Sequence, residues 1–261
     1  MRVAVTLVVI FASASLAPAQ PLVATGTSRQ LTTDPRDQLL PVISGNRVVF
    51  MSDPGADSDI HVLDLNSGVE TAVASLPVPE RLSSIDGDRV VYAEYQPTTG
   101  DVRIALHDLL SATTSYLSTG EFDEVPRIAG NLVTWMRGDS TSVKNVVVHD
   151  LITGTATEID LGGQEIYPFP SGTRVVFEAR ATPITPADIW LYDTTTGAAT
   201  RLSSAGEDER HPAIDGDLVV WEGLFSDANG VDVMIHDLTT GVTRRLERPG
   251  DQRWPRYRDG S

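Results

Sequence analysis

Short runs of β-branched residues, each ending in an aromatic, recur along this chain at even spacing. They end at Phe50, Tyr92, Trp135, Phe177 and Trp221, with gaps of 42, 43, 42 and 44 residues. A glycine precedes each run, at Gly45, Gly87, Gly130, Gly172 and Gly216. A third marker is the aspartate of LDLNSG, HDLLSA, HDLITG, YDTTTG and HDLTTG, at Asp64, Asp108, Asp150, Asp193 and Asp237. Three markers sharing a period near 43 define an internal repeat, and the architecture follows from that repeat before any single element.

One period predicts strand–turn–strand throughout. In residues 212–246, PAIDG is a short strand closed by a glycine turn, and LVVWEG is a β-branched and aromatic strand. VDVMIHDL is a third strand, TTG a tight turn and VTRRLE a fourth strand. Apart from the first residues, no stretch of ten or more holds a helical period. Along the third strand one face is aliphatic (Ile60/Val62, Ile104/Leu106, Val146/Val148, Ile189/Leu191, Val233/Ile235), and the other is apolar or amphipathic. Sheets buried on both faces have this pattern. Four such strands per repeat predict an all-β fold, a β-propeller of four-stranded blades.

Five full repeats fall at about 38–75, 80–118, 123–160, 164–204 and 208–248. Two pieces flank them: SRQLTT (28–33) matches a fourth strand, and the segment 253–260, containing WPRYRDG, matches a first strand. Five blades are expected, with the alternative of six and an incomplete last blade. Exposed strand edges at a seam invite association. Residues 28–33 are therefore expected to pair with the final repeat, placing Leu31 in the slot of Leu202 and Leu246.

The pattern P-x-I-x-G, V-V-aromatic, D-I-x-x-x-D-x-x-T-G covers residues 38 to about 248, most clearly in PFPSGTRVVFEA (168–179) and DIWLYDTTTGAATRLSS (188–204). It resembles the repeat of TolB-type β-propellers, without the separate N-terminal domain of TolB. The first turns read ISG, IDG or IAG where that family has S-P-D-G. The resemblance implies the propeller fold and is unspecific for function.

Composition adds compartment and charge. Met1-Arg2, the apolar run VAVTLVVIFA (3–12) and Ala17-Pro18-Ala19 form a secretory signal with an A-x-A cleavage site. The run is short of the roughly 20 apolar residues that span a bilayer. Residues 1–19 are thus expected to be removed, leaving a leader at 20–27 and one propeller domain over 28–261, secreted or periplasmic, with no membrane insertion. Cleavage removes Arg2 and no acid, leaving 19 basic and 36 acidic residues, a net charge of −17. That balance opposes nucleic acid and anionic lipid. The absence of cysteine excludes disulfides, thiolate catalysis and Cys-bound zinc.

Candidate chemistry is sparse. The His–Asp pairs at His107, His149 and His236 suggest half a nucleophilic triad, but they sit on equivalent positions of different blades and cannot converge. The same slot accepts Leu63 and Tyr192, and the following Asp and Gly suit a capped turn. Asp53, Asp57 and Asp59 share an oxygen-rich loop whose spacing is not that of a calcium loop. No metal or cofactor is expected. The loops entering each first strand carry acids, and Asp37, Asp123, Glu124, Glu165, Asp208 and Glu209 are the candidate ligand- or partner-binding residues at the channel mouth. Their clustered charge would attract a cationic group or a basic surface.

No G-x-S-x-G, H-E-x-x-H, G-x-x-x-x-G-K-[ST] or G-x-G-x-x-G motif occurs, so no catalytic residue is assigned. A non-catalytic module that binds a protein or another extracellular or cell-envelope ligand is the first expectation. A glycosidase or polysaccharide lyase using channel-mouth carboxylates is the second. The signal carries its own test: N-terminal sequencing of the exported protein should begin at Gln20, and a membrane-bound product retaining Met1 would overturn the assignment.

Overall fold

The computed structural model describes residues 30–52, 57–120, 122–138, 143–203, 206–225, 230–246, 250–253 and 255. The signal, the leader and nearly all of the C-terminal strand expected over 253–260 lie outside these residues, as does Asp53 of the acidic loop.

Twenty strands and no helix are described. Blade 1 comprises β1 (Gln38–Ser44), β2 (Arg47–Ser52), β3 (Asp59–Asp64) and β4 (Glu70–Ala74). Blade 2 comprises β5 (Glu80–Asp86), β6 (Arg89–Tyr95), β7 (Val102–Asp108) and β8 (Thr113–Tyr116). Blade 3 comprises β9 (Asp123–Ala129), β10 (Leu132–Gly138), β11 (Lys144–Asp150) and β12 (Thr155–Ile159). Blade 4 comprises β13 (Gln164–Ser171), β14 (Arg174–Arg180), β15 (Asp188–Asp193) and β16 (Ala198–Arg201). Blade 5 comprises β17 (Asp208–Asp215), β18 (Leu218–Leu224), β19 (Val231–Asp237) and β20 (Val242–Leu246). Each blade is an antiparallel meander in chain order, so the repeat seen in the sequence is one sheet. The first strands of successive blades pack on one another, which places them innermost, around the axis.

The core lies between blades. Val49, Met51, Ile60 and Val62 of blade 1 pack on Ile85, Val90, Tyr92 and Ala105 of blade 2. The same contact recurs between blades 2 and 3, 3 and 4, and 4 and 5, centred on Trp135, Phe177 and Trp221, each fully buried. The aromatic marker is thus the residue that fills the space under the preceding blade.

Polar clamps accompany this packing. Gly87 N–H donates to Ser44 Oγ (3.0 Å), Gly130 N–H to Asp86 Oδ2 (2.7 Å) and Gly216 N–H to Ser171 Oγ (3.1 Å). In return, the arginine two residues after the preceding blade's glycine reaches forward. Arg47 bonds Gly87 O and Asp88, Arg89 bonds Gly130 O (2.6 Å), and Arg174 bonds Asp217 (2.5 Å). These pairs are partly exposed, so each contributes at most about 1 kcal/mol. Their effect is to fix one blade's angle against the next. Blade 3 has Leu132 and Ala129 in these two slots and makes no such clamp to blade 4.

The D-x-x-T-G segments are turns. Asp64 Oδ1 accepts the Asn66 and Ser67 N–H groups (2.9 Å each), and Asp237 Oδ1 accepts Thr239 (2.8 Å) and Thr240 (3.2 Å). Gly241 then takes φ 68°, a left-handed conformation that glycine adopts without steric cost. The histidine before each aspartate is a cross-strand packing residue. His107 and His236 bond Thr114 and Thr243 (2.9 and 2.8 Å), while His149, opposite Ala156, leaves Nδ1 without a partner. Burial pushes all three imidazoles below their usual value, which keeps them neutral.

The N-terminal segment differs from expectation. Residues 30–33 form no strand, and the last sheet contains only β17–β20. Leu31 packs instead on Val48, Phe50 and Leu63 of blade 1. The pairing expected with the final repeat is thus not formed by residues 30–33, and Leu31 acts as a packing residue on blade 1. Leu202 covers the equivalent face of blade 5 from the blade before it. Leu31 does the same for blade 1, from the side where no blade is described.

The turn assignment yields a paired test. His149→Leu should retain fold and any binding, since Leu63 fills that slot in blade 1. Asp150→Ala should lower unfolding free energy by about 0.5–2 kcal/mol through loss of the turn cap, measured by urea titration.

Candidate functional site: the collar of the inner strands

All five inner strands break register at one place, between Leu39/Val42, Arg81/Ser84, Glu124/Arg127, Ile166/Phe169 and Arg210/Ala213. The residue at each bulge is non-glycine and left-handed: Leu40 (φ 53°), Leu82 (56°), Val125 (55°), Tyr167 (54°) and His211 (53°). Such backbone costs about 1–3 kcal/mol per residue and persists only where its surroundings impose it. Pro41, Pro126, Pro168 and Pro212 follow four of the five, and proline disfavours the right-handed helical region for the residue before it. The bulge lifts these side chains out of the sheet, and Leu40 and Tyr167 are 49% and 42% exposed. They form a collar around the axis at the end where the inner strands begin.

The collar has two chemically distinct halves. Across blades 1 to 3 it is apolar. Leu82, Ala93, Tyr95, Val102 and Phe122 line a cavity of about 160 Å³, with Arg81 and Glu124 at its polar side. That volume is below the 300–1,000 Å³ of small-molecule sites and suits a single large side chain. Across blades 4 and 5 the collar is polar. Tyr167 and His211 rings lie 5.7 Å apart, His211 Nδ1 is 3.2 Å from Glu222 Oε2, and His211 N–H donates to Glu178 Oε1 (2.7 Å). Arg180 bonds Glu178 Oε2 (2.8 Å). Burial raises the Glu178 carboxyl, and the His211 amide and Arg180 only partly offset this.

The six acids expected at the mouth divide by burial. Asp37 is exposed, Glu124 is half-buried and pairs with Lys144 (2.5 Å), and Asp208 pairs with Arg210. Burial works to raise the Asp208 carboxyl, but the Arg210 hydrogen bond and the Ala187 amide outweigh it and hold it low. Asp123, Glu165 and Glu209 are enclosed, as is Glu80. These four occupy one slot, seven residues before the glycine, and three of the carboxylates are internal acceptors. Asp123 takes both bonds from Arg137 (2.9 and 3.2 Å), Glu209 accepts Trp221 Nε1 (3.0 Å), and Glu80 accepts the Leu76 amide (3.3 Å). Burial raises all four. Glu80 is pushed up to about 8 and Glu165 to about 7. Half of the acidic pattern is therefore enclosed within the fold and does not present charge to a partner.

No group of three or more metal-ligating side chains lies together among the described residues. No described helix is long and apolar enough to cross a membrane.

The comparisons place this geometry among known folds. No family model and no curated protein matches the sequence. Solved structures do match. TolB from Acinetobacter baumannii superposes with a TM-score of 0.61 at 16% identity, covering 88% of this chain and 59% of its own. An acylaminoacyl peptidase from Pyrococcus horikoshii gives 0.62 at 13% identity, covering 81% and 39%. An oligogalacturonate lyase in complex with manganese gives 0.63 at 16%, covering 85% and 68%. The chain spans less than two thirds of the TolB and peptidase chains. The class defined is a TolB-like β-propeller of five blades, and at these identities the likeness is one of fold alone.

The buried carboxyls set a pH dependence. A carboxyl held above its unfolded value adds stability that is complete below about 4.5 and is lost as pH rises through the folded value, here about 8 for Glu80 and about 7 for Glu165. Thermal unfolding followed from pH 5 to 9 should show a falling midpoint. Glu80→Gln and Glu165→Gln should each flatten that fall, and a variant as steep as the parent would place the effect elsewhere.

Proposed function

We propose that this protein is an exported, non-catalytic binding module whose collar seats a protein partner. One observation carries the reading: five strained left-handed positions in equivalent places present five chemically graded side chains at one end of the axis. A purely structural strand would not need that backbone five times. Exposed apolar residues surround the collar, among them Leu40, Tyr95, Phe122, Tyr167 and Leu224, and such surface clustering is characteristic of interaction sites. The cavity between blades 2 and 3 would take an apolar anchor from the partner. The His211–Glu222 pair and the accessible acids Asp37, Glu124 and Asp208 would select basic or hydrogen-bonding groups beside it.

Export to the periplasm or medium follows from the signal sequence and agrees with the TolB-like fold. The fold likeness to a lyase keeps a carbohydrate-active enzyme as the second reading. That chemistry needs two carboxylates about 5–10 Å apart on one open pocket; the cavity at the collar is lined by one, Glu124, and Glu178 and Glu222, which both bond His211, are buried.

The test is a capture from the exported fraction, with the mature chain as bait and the dissociation constant of the captured protein measured. Tyr167→Ala and Leu82→Ser should each weaken binding by about tenfold or more, the range of an interface hot spot. Ser67→Ala, on a turn remote from the collar, should leave it unchanged. Unaltered binding in both collar variants, or turnover of a polysaccharide by the parent, would overturn the proposal.

A further inference from the structure

The residue after each aromatic marker is, in blade order, Met51, Ala93, Met136, Glu178 and Glu222. All five are buried. Where contacts are made, this slot reaches the collar of the next blade. Tyr167 N–H donates to Met136 Sδ (3.3 Å), and His211 N–H donates to Glu178 Oε1 (2.7 Å). The slot thus has two tasks at those junctions. It occupies the space beside the collar, and it supplies an acceptor for the amide of a left-handed residue. Met51 belongs likewise to the core between blades 1 and 2, with Ile60, Ile85 and Tyr92.

Ala93 does neither. Its side chain ends at Cβ, with no atom to accept an N–H and little volume to fill the slot. The cavity of about 160 Å³ lies at this junction, lined by Ala93 with Leu82, Tyr95, Val102 and Phe122. Tyr95 and Phe122 are 39% and 38% exposed, so its walls reach the surface. Val125 stands in blade 3 where Tyr167 and His211 stand in blades 4 and 5, at the same bulge and with the same left-handed backbone (φ 55°). Its amide is the equivalent of the two donors that the slot serves elsewhere.

We propose that this cavity receives a methionine side chain presented by another protein. The proposal rests on the collar being a partner-binding surface and adds the chemistry of the anchor. An apolar cavity of about 150 Å³ accepts a group the size of benzene, so one large side chain fits. Methionine is the residue that this chain itself places in the slot at two other junctions. Its thioether would meet the Val125 amide as Met136 meets that of Tyr167, and sulfur packs favourably at the edges of aromatic rings, here Tyr95 and Phe122. A second copy of this chain has no such anchor to offer. Met51 and Met136 are buried, Met234 packs on the core between blades 4 and 5, and Met1 falls in the expected signal.

Amide NMR on the exported chain, with N-acetyl-methionine N-methylamide as the probe, tests the proposal. The probe should shift the Val125 amide saturably. The norleucine analogue keeps the shape without the sulfur and should bind about threefold more weakly, while the alanine analogue should give no saturable shift. Ala93→Met should raise the unfolding temperature by filling the cavity and weaken the probe by about tenfold or more. Tyr95→Ser, at an exposed wall, should cause a similar loss without touching the core, and serves if the first variant does not fold. No saturable Val125 shift in the parent would overturn the proposal, as would equal binding of the probe by the parent and either variant. If a captured partner is lost on Leu82→Ser but held by Ala93→Met, the collar reading stands and the methionine site alone fails.

Discussion

A twisted four-stranded sheet with apolar side chains on both faces cannot be stable alone in water, and every other feature of this protein follows from how that problem is solved. Each of blades 2 to 4 buries one face under the blade before it and the other under the blade after it. Phe50, Tyr92, Trp135, Phe177 and Trp221 carry most of this burden, since a buried aromatic removes 150–250 Å² from water. The spacing of these residues sets the blade repeat, the repeat stacks the inner strands around one axis, and that stacking forms the collar. Burial of the carboxyls at Glu80, Asp123, Glu165 and Glu209 has the same origin. The chain must pass from an outer strand back to the axis at every junction, and the carboxyl at the start of each inner strand is enclosed there.

Much of the architecture was legible because it depends on periodic, short-range chemistry. The aromatic marker, the turn aspartate and the turn glycine each obey a local rule, and five copies removed the ambiguity of any one. The turns at Asp64 through Asp237 were readable for the same reason. The site was less legible. Asp123 and Glu165 look like surface charge in a sequence, because burial of a carboxylate depends on which amide or guanidinium meets it from another strand. The partner of Asp123 is Arg137, 14 residues away, on the neighbouring strand.

The collar escaped notice because its positions share a backbone conformation and not a residue type. Leu40, Leu82, Val125, Tyr167 and His211 have no common chemistry. A clue was nevertheless present in the residue preceding Pro41, Pro126, Pro168 and Pro212, the one variable place in an otherwise repetitive strand. Leu31 shows the opposite failure. SRQLTT resembles a fourth strand, but which blade Leu31 would cover depended on the direction of stacking around the axis, which no local pattern encodes.

The third junction, finally, is built unlike the clamped ones. Where serine, aspartate and arginine tie a blade to its successor elsewhere, Ala129 and Leu132 leave blades 3 and 4 held by apolar contact around Phe177. Hydrogen bonds have direction, whereas apolar contact is non-directional and is limited by shape alone. The clamps thus divide the arc into blades 1 to 3 and blades 4 and 5, and the packing around Phe177 joins the two. The joint falls between the apolar and the polar halves of the collar. The two chemistries of the collar therefore meet across a junction set by the shape of its side chains.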